Sequence, residues 1–303
     1  MKEKGEKMSV MRIKGRLGNQ LFQYASAYAL AKRLNQKMVF DPSFTANMTA
    51  RGYKLPLLCV EGDEVIYEEQ LPKKVSLLKK LYINKLCRVL NIARHNCGEY
   101  TYWLETKDEW QPDFFTIDES NLYVDGYFQS ENYFKPYRTD LLKQIQPKYD
   151  PEDEYLRELE EIGNCNSVAV HVRRSDFKKD NCAYHYLLDA TYYEKAIQRI
   201  RELVENPVFF WFSDDIDWVK KNFEVKENSR FVSLHTKHAD IDEMMLMKNC
   251  NHIIAANSTF SSVFILAHML SQRALSWQRP PALFILWQIP YRVIALRYKS
   301  LVY

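Results

Sequence analysis

Two adjacent arginines, Arg173 and Arg174, stand directly after the apolar run SVAVHV at 167 to 172 and are followed by Ser175 and Asp176. A guanidinium is a planar fork of donors that stays charged at any working pH, so an arginine pair suits a diphosphate. Ser213, Asp214 and Asp215 follow PVFFWF at 207 to 212, and their carboxylates could accept from the N–H or O–H groups of a guanine or a ribose. Asn257, Ser258, Thr259, Phe260 and Ser261 follow HIIAA at 252 to 256 and would open a helix, whose first N–H groups attract anions. Near the start, Gly15, Arg16, Leu17, Gly18, Asn19 and Gln20 form a G-x-x-G turn between a strand and a helix. Its glycines permit close backbone approach to a ligand, although no Walker Lys-Ser/Thr follows. Each group alone has an ordinary reading, as a solvated arginine pair or as helix caps. Three of them in register at successive strand ends point instead to one ligand crevice.

The elements needed to hold them there are readable. A strand over 9 to 14 leads through the G-x-x-G turn into a helix over 20 to 34, where Leu21, Tyr24, Ala25, Tyr28, Ala31 and Leu34 recur at helical spacing. A second strand is expected at 37 to 41, Lys-rich helical segments over 66 to 97 with 73 to 85 as a solvated helix face, a strand at 121 to 128 and a helix around 130 to 145. The polar stretch QPKYDP at 146 to 151 divides the chain into lobes 1–150 and 151–303. Beyond it helices at 151 to 162, 189 to 204, 215 to 222 and 240 to 248 alternate with strands at 167 to 172, 207 to 212, 230 to 234 and 252 to 256. Continuous apolar strands alternating with helices imply a parallel sheet covered on both faces.

Composition narrows the class. The 303 residues are 47% hydrophobic and 27% charged, as in soluble globular proteins, which excludes disordered and collagen-like chains. Forty-two Lys and Arg against 39 Asp and Glu give a formal charge of +3, too balanced to argue for nucleic acid. Six scattered cysteines without C-x-x-C imply reduced thiols, and with no apolar segment after the charged start the expected compartment is the cytoplasm.

The segments GRLGNQLFQYASAYALAK, VHVRRSDF, FSDDIDWVKKNF and DEMMLMKNCNHIIAANSTFS resemble, in order and spacing, the bacterial alpha-1,2-fucosyltransferases of glycosyltransferase family 11. H-x-R-R-x-D is shared with the wider alpha-1,2, alpha-1,6 and protein O-fucosyltransferase group. The resemblance implies a GT-B-like α/β fold of two Rossmann-like lobes with parallel sheets and a cleft between them. It implies inverting transfer of L-fucose from GDP-fucose to the 2-hydroxyl of a terminal galactose, with no metal or other cofactor. Arg173 matches the arginine that engages the leaving diphosphate and is the expected catalytic residue. His171, Arg174 and Asp176 fall on the same motif and are expected to shape the donor pocket, with Asp214 and Asp215 near the nucleoside. Asn257, Ser258, Thr259, Phe260 and Ser261 are expected on phosphates and guanine. Gly15, Arg16, Gly18, Asn19 and Gln20 belong to the turn expected to face the fucose. The general base is not identifiable, and the acceptor is expected to be a galactose-terminated or lipid-linked glycan.

Two departures stand out. Ser175 replaces the glycine usual in H-x-R-R-G-D, and after Ser261 the resemblance stops. From Ser262 to Tyr303 there are five basic residues and no acidic one. The tail reads either as a divergent terminal segment or, as expected here, as the product of a changed reading frame. Its apolar runs are broken by Pro280, Pro281, Pro290 and Arg292, so a spanning helix is not expected, while peripheral contact with an anionic inner-membrane surface stays open. Two other classes remain: a nucleotide-sugar-binding remnant impaired by the tail, and a metal-dependent transferase or phosphohydrolase using Asp214, Asp215, Asp217, Asp240, Asp242 and Glu243. The last rests on two D-x-D triplets at helix starts, where acids offset the dipole regardless of function. The aromatic run from Tyr123 to Phe134 is expected to be mainly core, with an acceptor-subsite wall as its second reading.

Overall fold

Strand β1 (Met8–Arg12) and helix α1 (Leu17–Leu34) form around the first apolar pattern of the chain. Fourteen of the 18 residues of α1 are buried, which matches a helix apolar on nearly every side. Asn35 ends it in the left-handed conformation (φ 49°), turning the chain directly into β2 (Lys37–Asp41). This computed structural model describes residues 7–46, 52–62, 66, 71, 73–80, 83–107, 109–174, 188–223, 228–256 and 284–285. The chain forms two compact units, Met1–Tyr149 and Asp150–Tyr303.

In the first unit the short helix α2 (Ser43–Ala46) follows β2, then α3 (Lys73–Lys80), α4 (Ile83–Leu90), β3 (Arg94–Cys97), β4 (Tyr100–Leu104), β5 (Asn121–Asp125) and α5 (Arg138–Gln144). The sheet order is β2-β1-β5-β4-β3. All its pairs are parallel except β3 with β4. The sheet is thus parallel, as expected, with one antiparallel strand added at its edge. Gly98, at φ +83°, and Glu99 alone join the two strands, and a connection that short permits only an antiparallel pair. The same hairpin corrects the helical reading of 66 to 97, because residues 94 to 97 are an edge strand. The expected helix around 130 to 145 is split as well. Two short 3-10 turns, Glu131–Tyr133 and Lys135–Tyr137, precede α5, and Pro136 in the second lacks the N–H that a longer helix would need.

The second unit runs α6 (Asp153–Gly163), β6 (Asn166–Val172), α7 (Ala190–Leu203), β7 (Pro207–Ser213), α8 (Ile216–Asn222), β8 (Ser229–Val232), α9 (Ala239–Asn249), β9 (His252–Ile254) and β10 (Phe284–Ile285). Its sheet, ordered β10-β9-β6-β7-β8, is parallel throughout. Every residue of β6 after Asn166 is buried, as a strand covered on both faces requires. Val168, Val170, Phe209, Trp211 and Ile254 pack with Tyr193, Ala196 and Ile200 of α7 in one core cluster. Of the divergent tail, only Phe284 and Ile285 lie within the described residues, and they pair with Ile253 and Ile254. Among the described residues no helix is long and apolar enough to cross a membrane.

Candidate active site

Parallel strands β9, β6 and β7 lie side by side, so their carboxyl ends share one edge of the second sheet. Arg173 and Arg174 leave β6 there, and Ser213, Asp214 and Asp215 end or leave β7. Asp214 holds the arginine pair in place. Its Oδ2 lies 2.9 Å from a terminal nitrogen of Arg173, and its Oδ1 accepts from the backbone N–H of Arg174 at 2.8 Å. The Arg174 guanidinium carbon lies over the Trp218 ring, 3.6 Å from its centroid, a cation–π contact. Arg174 Nε is buried and has no hydrogen-bond partner, with the Asp215 carboxylate 3.8 Å away. A buried donor left without an acceptor is costly, so an oxygen ligand arriving at this edge has a group waiting for it.

Asp215 accepts from the Trp218 N–H and so caps α8, while its own N–H donates to Ser213 Oγ at 3.0 Å. Both acids expected near a nucleoside thus have partners inside the chain: Asp214 orients the arginines and Asp215 starts the helix that carries Trp218. The acids of the second D-x-D triplet, Asp240 and Asp242, lie in the first turn of α9, and Asp242 also accepts from Thr236 Oγ1 at 2.6 Å. Among the described residues no three His, Cys, Asp or Glu side chains are grouped to hold a metal ion.

His171 is buried at the end of β6, and burial, reinforced by the neighbouring Arg173 charge, lowers its pKa to about 3. It is neutral at ordinary pH and too weak a base to hold a proton there. Its carbonyl accepts from the Tyr193 hydroxyl at 3.4 Å. The adjacent Tyr192 donates to the carbonyl of Ala255 at 2.7 Å, and burial pushes this phenol up to about 12. Asp189 caps α7 by accepting from the Tyr192 N–H, so the start of α7 is tied to the ends of both β6 and β9. Sequence reasoning missed Tyr192, Tyr193 and Trp218. Their signal was position alone, in the first turns of the helices that follow β6 and β7. Asp176, Asn257, Ser258, Thr259, Phe260 and Ser261 lie outside the described residues.

In the first unit, Gly15 has φ +80°, and a side chain there would run into that of Asn19. Arg16 precedes α1 without a side-chain cap, and no acid occupies the first turn, where Gly18 is buried. Gln20 is fully buried. Its amide nitrogen donates to the carbonyls of Gly15 (3.1 Å) and Gly52 (3.0 Å), and its oxygen accepts from the Lys54 N–H at 2.9 Å. The structure therefore gives Gln20 a stapling role between the turn and residues 52 to 54. Asn19 is half-buried, and its oxygen accepts from Gln129 at 2.9 Å.

Beneath this turn lies an ionic network that sequence reasoning did not find. Asp125, fully buried at the end of β5, contacts Arg12 at 2.7 Å, Lys14 at 2.5 Å and the Tyr102 hydroxyl at 2.6 Å. Burial alone would push this carboxyl up, but the Lys14 and Arg12 charges together hold it well below the usual carboxylate range. Tyr123 donates to Asp41 at the end of β2. Glu105 accepts from the N–H groups of Tyr127 and Phe128 and from the Tyr133 hydroxyl, fixing the loop that carries Gln129. Of the five aromatic side chains from Tyr123 to Phe134, only Tyr127 is not buried, so the expectation of a mainly core role matches these rings.

Comparison with known proteins places this geometry. The model of glycosyl transferase family 11 matches residues 1–273 and so continues past Ser261. An alpha-1,2-colitosyltransferase of Escherichia coli is 31% identical over 261 residues, covering 83% of this chain and 84% of that protein. The mouse (Mus musculus) galactoside 2-alpha-L-fucosyltransferase Sec1 is 26% identical over 263 residues, covering 84% of this chain and 63% of that protein. Among solved structures, the NodZ alpha-1,6-fucosyltransferase from Bradyrhizobium soaked with GDP-fucose superposes with a TM-score of 0.52 at 15% identity, covering 87% of this chain and 93% of that one. At that identity the likeness is one of fold, and the shared fold is the GT-B-like pair of Rossmann-like units.

Proposed function

The chain belongs to glycosyl transferase family 11 and is a glycosyltransferase, and from that premise we propose that it moves L-fucose from GDP-fucose to the 2-hydroxyl of a terminal galactose, inverting the anomeric centre without a metal. The observation that carries this reading is the arginine pair at the carboxyl edge of the second sheet, with Arg174 Nε buried and awaiting an acceptor. Two fixed cations side by side complement the two phosphates of a nucleoside diphosphate. In a single displacement, the acceptor hydroxyl oxygen attacks the anomeric carbon as the bond from that carbon to the β-phosphate oxygen breaks; the hydroxyl proton passes to solvent, and negative charge grows on the departing GDP. Arg173, held by Asp214, supplies positive charge that is already oriented when that growth occurs. Arg174, placed over Trp218, binds the same diphosphate and holds it in register. His171 stays neutral throughout and braces the strand end.

The direct test is incubation with GDP-fucose and a panel of β-galactosides, with and without a chelator, followed by determination of the product linkage. Arg173→Ala should lower turnover by about 10²- to 10³-fold while circular dichroism stays unchanged. Near-normal turnover of the folded variant would remove Arg173 from the mechanism. Similarity to the colitosyltransferase favours a second reading, in which a GDP-linked colitose is the donor on the same arginines. Offering both nucleotide sugars in competition separates the two. Binding of GDP with no transfer from either donor would identify a nucleotide-sugar-binding remnant.

A further inference from the structure

Arg173 carries a long, rotamer-rich side chain, and its guanidinium can be aimed only if the backbone it grows from is fixed. On one flank the sheet supplies that fixation, since β6 pairs with β7 as far as Val172 and Ser213. On the other flank the pairing stops sooner: among the described residues β9 meets β6 only as far as Val170 and Ile254. Residues two apart on a strand turn their peptide groups to the same side, so the carbonyl of His171 and the N–H of Arg173 face one way. One side-chain oxygen serves both. The Tyr193 hydroxyl donates to the His171 carbonyl at 3.4 Å and accepts from the backbone N–H of Arg173.

A phenol fills both roles at once only while it keeps its proton. Tyr193 is 1% exposed, and burial pushes its hydroxyl far above the ordinary tyrosine value, so it stays neutral at any working pH. The ring is fixed independently of the hydroxyl. It packs edge-on against Tyr192 and Phe223 and joins Val168 and Trp211 in the core of the second unit. The adjacent Tyr192 acts elsewhere, donating to the carbonyl of Ala255 just beyond β9.

We infer that Tyr193 is a positioning residue for Arg173: its hydroxyl takes over where β9 ends and sets the peptide from which the guanidinium is presented to a diphosphate. Asp214 secures the head of that side chain at 2.9 Å, and Tyr193 secures its root. The two supports come from different elements, the end of β7 and the first turn of α7. Tyr193 itself need not touch the nucleotide sugar. This role rests on the reading of Arg173 as a diphosphate ligand.

Tyr193→Phe keeps the ring and removes only the hydroxyl. It is expected to lower kcat by about tenfold with the acceptor KM unchanged, since even a small misplacement of a catalytic group is costly. A double-mutant cycle with Arg173→Ala separates positioning from general support of the fold. Tyr193→Phe should raise the Kd for GDP about fivefold in the wild-type background, the scale of one lost hydrogen bond, and by less than about twofold once Arg173 is replaced by alanine. Tyr192→Phe removes a hydroxyl from the neighbouring residue and should combine additively with Arg173→Ala. Titration calorimetry gives the Kd of the folded molecules whatever their stability, and urea unfolding records that stability separately. Additive losses from Tyr193→Phe and Arg173→Ala in the Kd for GDP, equal coupling for Tyr192→Phe, or wild-type turnover by Tyr193→Phe would each overturn the inference. Coupling in GDP binding with no transfer from any nucleotide sugar would uphold it and count instead against the assigned reaction.

Discussion

Arg174 shows how much of the site depends on the shape of one side chain. Its guanidinium lies over Trp218 while its backbone N–H is held by Asp214, so stem and head are both fixed before any ligand arrives. An ammonium carries the same charge but has no flat face to lay on an indole and no fork to share between phosphate oxygens. Arg174→Lys is therefore expected to lower kcat/KM for the nucleotide sugar by about tenfold or more, the scale of one or two lost charge-assisted hydrogen bonds. Steady-state kinetics with the donor varied checks this, and an unchanged kcat/KM would mean that charge alone matters at this position. The arginine pair was legible in the sequence because it follows an apolar strand. Its support was not, since Trp218 lies 44 positions further on and only the sheet register brings α8 beneath it.

At the scale of elements, the carboxyl ends of β1 and β5 are joined by charge. Asp125 is separated from Lys14 by 111 positions, and no local periodicity links them. Removing the charge of Asp125 strands the buried Lys14 and the partly buried Arg12, so Asp125→Asn should destabilise the protein by about 3–5 kcal/mol. The Asp125 carboxyl is depressed in the folded protein, so its contribution is present above the unfolded value near 3.9 and is lost as the pH falls below it. The difference between wild type and Asp125→Asn should accordingly be large at neutral pH and shrink in acid, as urea unfolding at several pH values would show. A pH-independent difference would mean that packing rather than charge is lost. Strands such as β6 and β7 were readable because burial on both faces makes them continuous apolar runs. The edge strand β3 was not, because RHNC has no apolar alternation and is extended only because β4 pairs with it.

At the scale of the whole molecule, the two sheets draw on separate stretches of chain. The cluster around Val10, Tyr102 and Tyr123 lies wholly within the first unit, and that around Val168, Trp211 and Tyr193 wholly within the second. Among the described residues no strand of one sheet pairs with a strand of the other. The first unit, ending at Tyr149, is of the size at which single domains commonly fold alone, about 100–150 residues. It also contains every member of the Asp125 network. Expressed alone, residues 1–149 should fold, showing near-UV circular dichroism from the packed Tyr102, Trp103 and Tyr123 rings and a single cooperative urea transition. Asp125→Asn should lower the midpoint of that transition as it does in the full chain, since all partners of the carboxylate are present. A fragment with far-UV but no near-UV signal would show that the first core requires residues beyond Tyr149 for its packing.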